Sequence, residues 1–165
     1  MSNRRVPRRT FEPKQVEGDS NADGLRFTVI CARWNPTITD ALLRSALKTL
    51  EGRGARSAAV RVVRVPGAFE LPAAARAALS APPPRPDALI VLGAIVRGET
   101  THHEVLGHAV AAALASLTAE TGRPIGFGLL TCDTMEQARE RSGKGAEAAE
   151  AAIEMANLKR ALAAR

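Results

Sequence analysis

Apolar residues recur along this chain in two alternating patterns, short unbroken runs and longer stretches with helical spacing. Phe27 to Ala32 (FTVICA) is a run of the first kind, the pattern of a strand buried on both faces. Asn35 and Pro36 follow as a cap-type residue and a first-turn proline. Ile38, Leu42, Leu43, Ala46, Leu47 and Leu50 then return at helical intervals, and Gly52 and Gly54 close the stretch. The cycle repeats. Ala58 to Val65 predicts a second strand, with a helix from about Ala68 to Ser80 after the Pro66-Gly67 turn. Ala88 to Ala94 predicts a third strand, with a long alanine-rich helix from about Thr100 to Thr121 that stops at Gly122. Ile125 to Thr131 predicts a fourth, followed by a short helix over Met135 to Arg141 and a last helix after Gly143-Lys144-Gly145. Strand and helix in strict alternation argue for an open parallel sheet covered on both faces. Pro82, Pro83, Pro84 and Pro86 read as a stiff surface spacer.

A length of 165 residues suits one domain. Aromatic residues make up only 3% of the chain and tyrosine is absent, so the core must be built from Ala, Val, Leu and Ile. The net charge of +6 raises the question of nucleic acid. Much of the excess sits in Arg4, Arg5, Arg8, Arg9 and Lys14, ahead of any apolar periodicity, so residues 1–24 read as a solvated basic arm and residues 25–165 as the domain. The remaining basic residues form no stripe and have no interleaved aromatics, which argues against nucleic-acid binding. No apolar run approaches the roughly 18 residues of a membrane span, and the arginine-rich start lacks the apolar core of a secretory signal. Cys31 and Cys132, with no such signal, predict a reducing, cytoplasmic setting.

In open parallel sheets ligands bind beyond the carboxyl ends of the strands. The loops there carry Arg33-Trp34-Asn35, Pro66 to Glu70, Val96 to His102, and Thr131-Cys132-Asp133. Trp34, the only tryptophan, fits two roles: a partly buried packing residue, or a flat surface on which a heterocycle stacks. Glu70 could accept the N–H groups of such a ring. In the third loop Gly98 allows close backbone approach, and Thr100 and Thr101 are of helix-capping type. The amides that open the following helix, with its dipole, form a plausible cradle for a phosphate. His102 lies in that first turn, where the dipole disfavours imidazolium, so a neutral ring able to take and return a proton is expected. His103 and His108 read as ordinary structural or surface residues. A metal site is not expected, because His102, His103 and Glu104 are consecutive and His108 is out of step with His102. No nucleotide-binding glycine motif is present, and no cofactor is expected.

Three segments carry a resemblance: Pro66-Gly67-Ala68-Phe69-Glu70-Leu71-Pro72, Leu92-Gly93 through Val96-Arg97-Gly98-Glu99-Thr100-Thr101-His102, and Ile153 to Leu158. From about Leu25 to its end the chain resembles the lumazine synthase family. The resemblance implies a three-layer α/β/α fold of flavodoxin-like topology around a central four-stranded parallel sheet. It implies condensation of 5-amino-6-(D-ribitylamino)uracil with L-3,4-dihydroxy-2-butanone 4-phosphate to 6,7-dimethyl-8-(D-ribityl)lumazine, phosphate and water, without a cofactor. By that resemblance Trp34 stacks on the uracil, a position where phenylalanine is also common. Ala68, Phe69 and Glu70 hold the ribityl chain, and Ala94, Ile95 and Val96 offer backbone groups to the pyrimidine edge. Glu99 and Thr100 lie at the phosphate, and His102 transfers the proton. Phe127 completes the ring pocket and Arg141 clamps the phosphate, both from a neighbouring subunit, so the resemblance also implies a homopentamer.

Two positions depart from the family pattern. Between Arg141 and Lys144 the chain reads Ser-Gly where many relatives have a longer connector, and Lys144 is a further candidate for the phosphate. In the family the resemblance points to, that connector sets the angle between the last two helices and bears on whether pentamers assemble into shells of sixty subunits, so the resemblance implies a pentamer and leaves the shell open. The other departure is His103, in place of a bulkier aromatic. A binder of lumazine or flavin without turnover would be expected to lack the histidine or the arginine, and both are present.

Overall fold

The structure, a computed structural model, describes residues 11–164. It contains four strands, β1 (Phe27–Ala32), β2 (Val60–Val65), β3 (Ala88–Val96) and β4 (Ile125–Cys132), and five helices. The helices are α1 (Pro36–Gly52), α2 (Leu71–Ser80), α3 (His102–Thr121), α4 (Met135–Glu140) and α5 (Lys144–Ala163). All strand pairs are parallel, in the order β2-β1-β3-β4, the flavodoxin-like arrangement. In register, Phe27 lies between Val60 and Ala88, and Leu89 faces Ile125.

The apolar runs of β1 and β3 are buried because both strands are interior to the sheet, and the two-residue strand period divides their side chains between its faces. Phe27, Val29, Cys31, Ile90 and Leu92 face α1 and α5, meeting Ile38, Leu42, Ala149 and Ile153. Ile30, Ala32, Leu89 and Val91 face α2 and α3, meeting Leu71, Ala75, Val110 and Leu114. Phe27 is the one aromatic side chain buried in this core among the described residues, and elsewhere the layers approach closely. Gly126 on β4 lies directly under the Ala148 carbonyl, and Gly145 at the start of α5 lies against that of Leu42, leaving no room for a Cβ at either glycine. Edge strand β2 exposes Arg61 and Arg64, charges that discourage pairing with another sheet.

Element boundaries differ from the sequence expectation in places: β3 runs two residues further, to Val96, and α3 begins at His102 rather than Thr100. Ser57–Ala59 and Ala68–Glu70 form single 3-10 turns, so β2 and α2 each begin later than their apolar patterns suggest. Residues 1–10 of the expected basic arm lie outside the described residues. From Asp19 onward the chain is seated on the domain: Asn157 Nδ2 donates to the Asp19 and Asn21 carbonyls, and the Ala22 N–H donates to Arg53 O at 2.8 Å. No helix among the described residues is long and apolar enough to cross a membrane.

Candidate active site

The four strand-end loops meet at one edge of the sheet. The N–H groups of Arg33 and Trp34 reach across to the ends of β2, donating to Val65 O at 2.8 Å and Pro66 O at 3.1 Å. Arg97 N–H donates to Cys132 O at 2.9 Å, and the Arg97 guanidinium stands 3.5 Å from Asp133, tying the third loop to the fourth. Asn35 is the residue from which α1 starts, but its side chain makes no capping hydrogen bond. It crosses instead to β3, where Nδ2 donates to Ala94 O at 2.9 Å.

Between these loops lies a cavity of about 250 Å³ lined by Trp34, Asn35, Ala68, Ala94, Ile95, Val96, Gly98, Thr100, His102 and His103, among others. Of the expected residues it therefore gathers Trp34, Ala68, the Ala94–Val96 backbone, Thr100 and His102. Trp34 is 67% exposed, with one face of the indole laid against Gly67. Such exposure removes the packing role and leaves an open aromatic surface at the cavity wall. Glu70 is oriented by its own turn, its carboxylate accepting the Gly67 N–H at 2.8 Å, and Phe69 projects outward, 71% exposed. A separate depression of about 360 Å³ lies against the Pro82–Pro86 connector at the opposite end of the sheet, away from every one of these loops.

The remaining expected residues stand apart. Glu99 is exposed beside the cavity rather than in its lining. Phe127 is half-exposed on β4 and lines a different depression, on the far side of the first turn of α3, with Glu104, His108 and Gln137. Arg141 follows α4 at the surface, with Nη1 3.4 Å from Gln137 O. Lys144 is held by Glu147 one turn along α5, at 2.7 and 2.9 Å from its two carboxylate oxygens. Within a single chain Phe127, Arg141 and Lys144 line no part of the Trp34 cavity.

His103 was not expected in the site. Its side chain is only 13% exposed, it lines both depressions, and its Nδ1 lies 3.1 Å from Thr100 O. The signal was present in the sequence: the buried stripe of α3, Gly107, Val110, Leu114 and Leu117, extrapolates by four residues back to His103. Thr101 occupies the N-cap position without a side-chain capping bond, while Thr100 Oγ1 accepts weakly from His102 N–H at 3.4 Å. The N–H groups of Glu104 and Val105 donate to Thr101 O at 3.0 and 3.3 Å. Among the described residues no group of three or more His, Cys, Asp or Glu side chains is placed to hold a metal ion.

An open indole, a strand backbone edge, a helix N-terminus and an imidazole around one cavity suit a planar heterocycle and an anion held side by side. Comparison with known proteins agrees. Residues 24–160 match the sequence profile of the 6,7-dimethyl-8-ribityllumazine synthases. A 6,7-dimethyl-8-ribityllumazine synthase of Desulfotalea psychrophila is 47% identical over 155 residues, which span 91% of this chain and 99% of that protein. The chain belongs to the 6,7-dimethyl-8-ribityllumazine synthase family.

Proposed function

We propose that the Trp34 cavity is where this chain condenses 5-amino-6-(D-ribitylamino)uracil with L-3,4-dihydroxy-2-butanone 4-phosphate, the penultimate step of riboflavin biosynthesis. One observation carries the reading: Trp34, the Ala94–Val96 backbone, Thr100 and His102 line a single cavity. The uracil stacks on Trp34 with its edge against the backbone of Ala94, Ile95 and Val96. The ribityl chain runs toward Ala68, Phe69 and Glu70. The phosphate sits at the opening of α3, near Glu99 and Thr100, where the helix dipole favours an anion.

In the reaction the pyrimidine amine attacks the ketone, water and phosphate leave, and the ring closes. Holding two reactants in contact supplies much of the acceleration, worth several kcal/mol (about 7 or more in favourable cases). His102, at the rim between the ring and phosphate sides, moves protons. Its contribution is about a hundredfold or more. No redox step occurs, and the reading assigns no cofactor.

The site is completed by a neighbouring subunit that brings Phe127 and Arg141, with Lys144 as a further phosphate contact, in a homopentamer. Two features support this. Phe127 and Arg141 are exposed and lie outside the lining of their own chain's cavity. Beside Phe127, Ala111, Leu114, Ala115, Ala119 and Ile125 form an open apolar depression of about 490 Å³, a surface of the kind that subunit contacts cover. Assembly of pentamers into a shell depends on the Ser142-Gly143 connector. A cytoplasmic setting is part of the reading, supported by Cys31 and Cys132, both buried free thiols. Mixing purified protein with both substrates tests the activity: fluorescent lumazine and inorganic phosphate should appear together, and absence of both would refute it. Light scattering on the same sample reads the assembly.

A further inference from the structure

Asn35 is the one residue other than glycine, among the described residues, with a positive φ. Its backbone is left-handed, at φ 58° and ψ 56°. That region is unfavourable for most L-residues, and asparagine tolerates it better than nearly any other. The conformation sends the two polar halves of the residue in opposite directions. The Asn35 carbonyl turns down α1 and accepts from Ile38 N–H at 2.9 Å, Thr39 N–H at 3.0 Å and Thr39 Oγ1 at 3.3 Å. The side-chain amide turns toward the sheet and donates to Ala94 O, a contact 59 residues away in sequence.

The ladder explains why that carbonyl needs a donor. Pairing of β1 with β3 ends at Cys31 and Leu92, so two residues further along β3 no strand continues on the β1 side. Ala94 is nevertheless buried, 7% exposed. The Asn35 amide takes the place of the missing strand, and it does so one residue after Trp34. Trp34 itself is anchored to Pro66 O. The indole surface and the Ala94–Val96 edge are thus joined by one side-chain hydrogen bond.

We infer that Asn35 is a positioning residue, whose amide sets the spacing between the Trp34 ring and the β3 backbone edge and so the fit of the planar substrate. The inference rests on the proposed use of that slot for the pyrimidine. The opening of α3, with Gly98 and Thr100, is built without Asn35, so the phosphate-bearing substrate should not sense its loss.

The variant Asn35→Gly tests this, because glycine keeps the left-handed backbone and removes only the amide. Trp34 is the only tryptophan in the chain, so its emission reports on the slot without substrate. In the intact assembled protein, Asn35→Gly should lower indole anisotropy and increase acrylamide quenching. KM for the pyrimidine should rise about tenfold, as expected for a small misplacement of a bound reactant, while KM for the sugar phosphate stays within about twofold. Asn35→Asp, which keeps the side-chain shape but turns an acceptor toward Ala94 O, should give the same split and guards against a glycine-specific folding defect. Unchanged anisotropy and quenching in both variants would overturn the inference, as would equal rises in the two KM values. If the wild-type protein made no lumazine while the indole still loosened, the reading of the reaction would fall and the positioning role would stand.

Discussion

The six-membered ring of Trp34 lies on the backbone of Gly67: a methyl group at that glycine would stand 2.8 Å from Cε3 and 3.1 Å from Cζ3. The glycine's φ is −143°, which any residue can adopt, so the requirement is for space. Gly67→Ala must therefore displace the indole. Stability should change by less than about 1 kcal/mol, because what is displaced is the outer end of an exposed side chain. KM for the pyrimidine should rise about tenfold or more, because the stacking surface is no longer where the β3 edge expects it. Steady-state kinetics with each substrate varied in turn, beside a urea titration, would check both numbers. An unchanged pyrimidine KM would mean that the ring plays no part in binding.

Much of this geometry was legible in the sequence, and the limits have physical causes. Phe27–Ala32 and Ala88–Ala94 read as buried strands because interior strands are apolar on both faces, and so they are. Asn35 read as a helix cap, since its residue type and the following proline satisfy that rule. Its amide found a carbonyl on β3, and the identity of such a partner depends on where a neighbouring strand stops. Glu70 read as a ligand group, yet its carboxylate is engaged by the Gly67 N–H three residues back, a local clamp that periodicity does not reveal. Phe127 and Arg141 show the deepest limit. Within one chain they line no part of the Trp34 cavity, and they would join it only in the proposed assembly.

His102 and Arg141 should separate in their kinetic effects. His102 lines the cavity and its proposed task is proton transfer, so His102→Ala should lower kcat by about a hundredfold with little change in either KM. Arg141, in the proposed assembly, meets the phosphate, so Arg141→Ala should raise KM for the sugar phosphate by about tenfold or more. Arg141→Ala is thus expected to hurt binding of that substrate more than His102→Ala does. The reverse order would refute this division of roles.

Cys31 makes alkaline stability a readout of core packing. Its Sγ is fully buried, 3.5 Å from the carbonyl oxygens of both Ala32 and Thr39. Burial pushes the thiol up from 9.0 to about 11, with the Arg64 charge opposing. The native thiol therefore keeps its proton after the unfolded chain has released its own. Stability contributed at this site is intact below about pH 9 and falls as pH rises toward 11, by about 1.4 kcal/mol per unit at most. Urea unfolding of the wild type and Cys31→Ala at pH 8 and pH 10, under reducing conditions, isolates the effect. The wild type should lose about 1 kcal/mol more than the variant over that interval. Equal losses would place the thiolate in contact with water.

A site shared between subunits makes a prediction that no single-chain site can. With both substrates well below KM, Trp34→Ala and Arg141→Ala chains should each keep about a tenth or less of wild-type activity, one lacking the ring surface and the other the phosphate clamp. In a mixed assembly, some interfaces join the intact Trp34 of an Arg141→Ala chain to the intact Arg141 of a Trp34→Ala chain. Random association at equal amounts makes about a quarter of all interfaces of this kind. Denaturing the two variants together and refolding them should restore about that fraction of wild-type activity. Mixing them already folded should restore none until subunits exchange. If the refolded mixture stayed at the level of the separate variants although native mass spectrometry showed mixed oligomers, each chain would have to supply its own phosphate contact. The exposed positions of Phe127 and Arg141 would then need another explanation.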